Sequence, residues 1–217
     1  MLRIKQFTFN PFGVNTYLII DTDTAHAIVV DPGMTSSREI KEFDSYIADN
    51  NLVIDSVINT HMHLDHCFAD NYIKSRYNVD IAANPADAPL GRSIGAQAAG
   101  FGLMLPDEST HPVVADTVLH DGDIVRLGRY DIYMLEVPGH SPGSVALYCP
   151  DGGFVIVGDV LFKNGIGRTD LPGGNSATLF NSIRRKLFSL PDTTVVLPGH
   201  GESTTIGDEK QSNPYIA

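Results

Sequence analysis

A chain that runs Val53-Ile54-Asp55-Ser56-Val57-Ile58 and then at once Asn59-Thr60-His61-Met62-His63-Leu64-Asp65-His66 has few folds open to it. The first six residues read as a buried strand, so the polar cluster falls where a strand ends and the chain turns. Three histidines and one aspartate lie within the six residues from His61 to His66. His61 and His63 are two apart and share one side of an extended backbone. Asp65 and His66 belong to the following turn or first helical residues and point elsewhere. This spacing offers two pairs of ligands, suited to two neighbouring metal ions rather than one. Imidazole with carboxylate favours zinc, with iron or manganese as alternatives.

One ligand pair cannot hold a metal, and the chain supplies further partners three times. The strand pattern Ile132–Val137 ends in Pro138-Gly139-His140, Phe154–Val157 ends in Gly158-Asp159, and Thr194–Leu197 ends in Pro198-Gly199-His200. Each has a glycine just before a ligand-type residue, which lets backbone approach a crowded centre. Ligands at strand ends along one sheet edge are where open α/β sheets place their sites. His26, His111 and His120 stand outside this pattern and read as surface or satisfied residues.

The run Thr60-His61-Met62-His63-Leu64-Asp65-His66 resembles the signature of the metallo-β-lactamase superfamily, and the three later motifs match its own in order. Gly165-Ile166-Gly167-Arg168-Thr169-Asp170 and the tail from Pro198 resemble the glyoxalase II-like (hydroxyacylglutathione hydrolase-like) members. That resemblance implies His61, His63 and His140 on one metal, Asp65, His66 and His200 on the other, and Asp159 bridging both. It also implies an α/β (α+β) fold over a single domain, 1–217. The expected architecture is a four-layer αββα sandwich, two mixed β-sheets face to face with helices outside.

The 217 residues, 42% apolar, suffice for one sizeable core. A net charge of −11 argues against a phosphate-binding surface and hence against nucleic-acid partners. The start Met1-Leu2-Arg3-Ile4-Lys5-Gln6 lacks the apolar core of a signal peptide, and no run approaches membrane-spanning length. Cys67 and Cys149 read as reduced packing residues, which fits a cytoplasmic protein.

Strand patterns occupy Leu2–Phe9, Thr16–Ile20 and Ala27–Val30, before the turn Asp31-Pro32-Gly33. A helix then starts at Ser36-Ser37 with Glu39 behind, as a capping box does. The spacing after the metal motif predicts one helix from about Asp65 to Tyr77. Ile94 to Pro106 is apolar but glycine-rich, a poor helix that forms either a lid, with Phe101 and Met104 against substrate, or a plain cover for the sheet. A last helix spans about Ala177 to Leu190, capped by Asn175 or Ser176. Arg168, on the glycine-rich loop before it, is assigned to a substrate carboxylate as a planar fork. Pairing with Asp170 is the competing, structural reading.

Two metals with open positions point to hydrolysis by a shared hydroxide, with Asp65 orienting it and accepting its proton. The resemblance narrows the bond to a small-molecule thioester such as S-lactoylglutathione, and two Zn2+ are expected, with Fe or mixed Zn/Fe/Mn as alternatives. Full glyoxalase II enzymes carry a further C-terminal helical region for glutathione, whereas only Gly201 to Ala217 follow His200 here. The nearest different chemistry is a persulfide dioxygenase with one iron on His61, His140 and Asp159. A non-catalytic metal-binding protein is the remaining alternative. Oligomeric state is not legible.

Overall fold

The computed structural model describes residues 1–105 and 107–216, without the side chains of residues 107 and 108. These fall into two compact units. The first comprises Met1–Ala83 and Ala88–Val118; the second comprises Asn84–Asp87 and the chain from Leu119 onward.

In the first unit, β1 (Leu2–Phe9), β2 (Val14–Asp21), β3 (His26–Val30), β4 (Val53–Ile58), β5 (Asp80–Ala83) and β6 (Thr117–Val118) form a sheet in that order. Pairing is antiparallel from β1 to β3 and parallel from β3 to β6. All eight residues of β2, which lies between β1 and β3, are buried. Helix α1 (Ser37–Asp49) begins as its sequence dictates. The Ser36 hydroxyl accepts from the Glu39 N–H while Glu39 reaches back to the Ser36 N–H, and Phe43 and Ile47 face the core.

The helix expected from about Asp65 to Tyr77 is broken. It forms α2 (Leu64–Cys67) and α3 (Asp70–Tyr77), because the Ala69 N–H is taken by the Pro32 carbonyl at 2.9 Å rather than by the preceding helical turn. Helices α4 (Ala88–Arg92) and α5 (Ile94–Gly100) follow. Despite its glycines, α5 buries Ile94 and Ala98 in the same core as Leu18, Val57 and Ile81. Burying such side chains stabilises the unit by about 1.5–3 kcal/mol for each large one. This end of the segment covers the sheet, while Phe101 and Met104 beyond it are exposed and Pro106 lies outside the described residues.

In the second unit, β7 (Ile124–Leu127), β8 (Tyr130–Glu136), β9 (Val145–Cys149), β10 (Phe154–Gly158), β13 (Val195–Pro198) and β14 (Thr204–Thr205) form a sheet ordered β14-β13-β10-β9-β8-β7. Only β10 and β13 run parallel. A separate hairpin joins β11 (Leu161–Phe162) to β12 (Gly165–Ile166). The last long helix starts as α6 (Ser176–Ser182), its Asn175 side chain accepting from the Thr178 N–H. It then widens into a π turn over Ile183–Leu187, with Phe188 N–H bonded to the Ile183 carbonyl. Leu179, Ile183 and Leu187 still line one buried face, whereas Leu190 is only half-buried. Helix α7 (Ile206–Ser212) closes the chain. The two mixed sheets with their helices place the protein in the α/β class, as expected. Among the described residues no helix is long and apolar enough to cross a membrane.

Candidate metal centre

In the first unit the motif leaves the end of β4 and turns into α2, with His63 as the residue that caps that helix. The rings of His61 and His63 lie 4.8 Å apart and those of His61 and His66 4.1 Å apart. Asp65 Oδ2 sits 3.7 Å from His66 Nε2. All three rings are buried.

Asp31, read from sequence as part of a turn, organises this cluster. Its carboxylate accepts from the Thr60 N–H and the Thr60 hydroxyl, each at 2.7 Å, and from His66 Nδ1 at 2.9 Å. The carboxylate takes the one hydroxyl proton of Thr60. Thr60 Oγ1, 3.1 Å from His61 Nδ1, therefore accepts from that ring N–H. Both imidazoles are thus held as tautomers whose Nε2 carries the lone pair. The ligand atoms of Asp31, His61 and His66 lie within 4.8 Å of one another. With three hydrogen bonds on its carboxylate, Asp31 orients the His66 ring directly and the His61 ring through Thr60, as carboxylates behind histidine ligands do. Its position at the end of β3 was the available sequence signal, since the candidate ligands also follow strand ends.

Two more side chains, Gln97 and Asn59, fix the loop. Gln97 of α5 accepts from the Leu64 N–H at 3.1 Å and donates to the Met62 and Leu90 carbonyls. Asn59 donates to the His66 carbonyl and to buried Asp70, each at 3.2 Å. Burial pushes the Asp70 carboxyl well above the usual carboxylate range, and burial likewise pushes up the Cys67 thiol. Cys67 is buried, with its thiol 3.8 Å from the His61 carbonyl, and packs in the core of the first unit. His26 pairs with Asp55 at 2.6 Å on the surface and His120 lies 3.7 Å from Glu136, both apart from the motif.

In the second unit His140, Asp159 and His200 come together from the ends of β8, β10 and β13. A single oxygen, Asp159 Oδ2, lies 3.8 Å from His140 Nε2 and 3.4 Å from His200 Nε2. Both are ion-pair distances. They match the ~3.4 Å that separates two ligands about 2.1 Å from one tetrahedral ion. His140 Nδ1 donates to the Arg168 carbonyl at 2.8 Å, so here too Nε2 carries the lone pair.

Glycines make this approach possible. A Cβ on Gly167 would lie 1.8 Å from the Asp159 carbonyl oxygen, and one on Gly139 (φ +136°) would lie 2.3 Å from the Leu179 nitrogen. The Arg168 guanidinium is forked on Asp170 by two 2.7 Å bonds. That bond to Arg168 holds the Asp170 carboxyl down at about 2. The Arg168 main chain serves His140 while its side chain is engaged within the loop. Phe101 meets Phe12 edge-on at 6.1 Å, and Met104 is fully exposed.

Donor chemistry, pinned tautomers and ligand spacing in both units fit divalent metal ions. Together with the fold, they define the class: the chain belongs to the metallo-β-lactamase superfamily, whose family model matches residues 9–200. The superfamily is built around dinuclear metal sites, and this member is a metal-dependent hydrolase. The chain is 37% identical to hydroxyacylglutathione hydrolase GloC of Haemophilus influenzae, over 99% of this chain and 98% of the relative. Among solved structures it is similar to the BLEG-1 B3 metallo-β-lactamase, with TM-score 0.89 and 29% identity, covering 99% of this chain and 100% of that one. A di-iron-bound form of TTHA1623 matches with TM-score 0.84 and 34% identity, covering 98% of this chain and 100% of that one.

Proposed function

We propose that the protein is a dinuclear metal thioesterase of the hydroxyacylglutathione hydrolase type, acting on S-lactoylglutathione or a similar small thioester. The metal centre is carried by the pinning of His61, His66 and His140 through Nδ1, which readies each Nε2 for a cation, and the thioester is supported by the 37% identity to hydroxyacylglutathione hydrolase GloC. In this reading His61, His63 and His140 hold one metal, Asp65, His66 and His200 the other, and Asp159 serves both. When bound, such ions lower the pKa of water to about 7 and polarise a carbonyl oxygen.

The chain's own groups do the rest. Asp65 holds the water in line and accepts its proton; its main-chain carbonyl is fixed by the Asn10 side chain at 3.1 Å. Phe101 and Met104 offer exposed apolar surface to the acyl or thiol part of the substrate. A substrate carboxylate would have to compete with Asp170 for Arg168, or share its outer N–H groups. Zinc suits the nitrogen and oxygen donors and the thiolate leaving group, while the di-iron relative keeps iron in view. Two buried free thiols suit a reducing cytoplasmic setting. The charge of −11 gives neither nucleic acid nor an anionic membrane a footprint. We further propose that the two units act as one catalytic domain.

The glycine-rich Gly167-Arg168-Thr169-Asp170 loop keeps a second reading alive, a persulfide dioxygenase with one iron on His61, His140 and Asp159. The purified protein should release thiol from S-lactoylglutathione and consume no oxygen with glutathione persulfide. Oxygen uptake without thioester cleavage would reverse the assignment.

A further inference from the structure

We infer that Asp87 is a positioning residue for the metal ligand His140, an inference that rests on the metal reading above. Asp87 is completely buried in the second unit, at the end of the short turn Pro85–Asp87. Its Oδ1 accepts from the Gly143 N–H at 2.6 Å and its Oδ2 from the Ser141 hydroxyl at 2.7 Å. Ser141 Oγ also meets Ser144 Oγ at 2.8 Å, and the Ser141 N–H donates to Ser144 Oγ at 3.2 Å. One carboxylate therefore clamps both ends of Ser141-Pro142-Gly143, directly after His140.

On its other side His140 follows Gly139, which packs on the Leu179 backbone and donates its N–H to the Ser141 carbonyl at 3.0 Å. The Pro138 carbonyl before it accepts from the Ser182 hydroxyl. The backbone bearing the imidazole is thus fixed before and after the ligand, and the later anchor is the pair of hydrogen bonds to the Asp87 side chain. Gly143 is compelled by the same contact: a Cβ there would stand 2.7–2.8 Å from Asp87 atoms. The turn bearing Asp87 has its own support, since Asn84 accepts from the Ala86 N–H and donates to the Leu119 carbonyl and Glu136. A buried carboxylate without its two donors would be costly, so the turn and the His140 loop fold as one piece.

The chemistry separates Asp87 variants. In Asp87→Ala both donors lose their acceptor. In Asp87→Asn the amide oxygen can still accept from Gly143 N–H, while the amide N–H donates to a Ser141 hydroxyl rotated toward Ser144. The test is metal affinity, read by competition with a chromophoric chelator, beside the melting temperature of the metal-free protein. Wild type should bind metal, Asp87→Asn should stay within a few-fold of it, and Asp87→Ala should lose roughly 10- to 100-fold in affinity. Ser141→Ala, which keeps the Gly143 bond to Asp87, should fall between. The inference is overturned if folded Asp87→Ala binds metal as wild type does, or if Asp87→Asn is as weak as Asp87→Ala. Should Asp87→Ala not fold, wild-type affinity in Ser141→Ala would overturn it instead. A wild type that binds no metal would instead refute the metal reading itself.

Discussion

The region carrying His61, His63, Asp65 and His66 holds its ligands by side chains, whereas the region carrying His140, Asp159 and His200 holds them largely by backbone. In the first, Asp31 fixes two imidazoles at once, one directly and one through Thr60. In the second, the acceptor for His140 is the Arg168 carbonyl, and Gly139 and Gly167 let main chain lie where no Cβ fits. A compact motif confines its ligands by sequence alone and needs only orientation. Ligands drawn from three strand ends must first be brought within reach, and close backbone contact does that.

The largest expected effects fall on the ligands of both regions. His61→Ala and Asp159→Ala should each abolish metal retention and turnover, measured by elemental analysis after dialysis and by thioester cleavage. Wild-type activity in either would sink the ligand assignment. Next come the two supports, which should fail differently. Gly167→Ala should lower stability by roughly 2–3 kcal/mol as well as metal affinity, because backbone must move. Asp31→Ala should cost 10- to 100-fold in metal affinity. If chelator competition found Asp31→Ala unaffected, the contrast between the regions would be lost.

Smaller still is Met104→Ala. Met104 is fully exposed, so its removal should shift stability by less than about 0.5 kcal/mol while raising KM several-fold. A changed melting temperature with unchanged KM would remove it from the substrate surface. The smallest effect concerns Glu39 at the start of α1. Burial pushes its carboxyl up, but the N–H groups of Thr35, Asn10 and Ser36 outweigh that, and the net shift is downward. Its ionised form therefore adds stability above the unfolded carboxylate range, and that stability is lost as pH falls through the lowered folded value. Glu39→Gln, which keeps an oxygen acceptor, should cost only about 0.3 kcal/mol near neutrality and flatten the acid limb of a stability–pH curve. An unchanged acid limb would remove the carboxylate from the account.

How much of this was legible in the sequence follows the same division. The strand at Leu2–Phe9, the capped start of α1 and the ligand-bearing strand ends were all written in local pattern, because alternation, caps and glycines act over a few residues. The break between α2 and α3 was not, since it depends on the Pro32 carbonyl reaching Ala69 from more than thirty residues away. The π turn at Ile183–Leu187 also escaped, as it preserves the apolar face that a helix pattern displays. Asp31 and Asp87 were read past for a related reason: a lone aspartate in a turn looks the same whether it faces water or buried donors. Arg168 could be assigned only by seeing which carboxylate its fork meets.

The central claim is best tested by counting metal. Protein expressed with zinc or iron available, then dialysed, should retain about two ions per chain, and its thioester cleavage should rise with that occupancy. Retention of one iron, or of none, by a folded and monodisperse sample would contradict it.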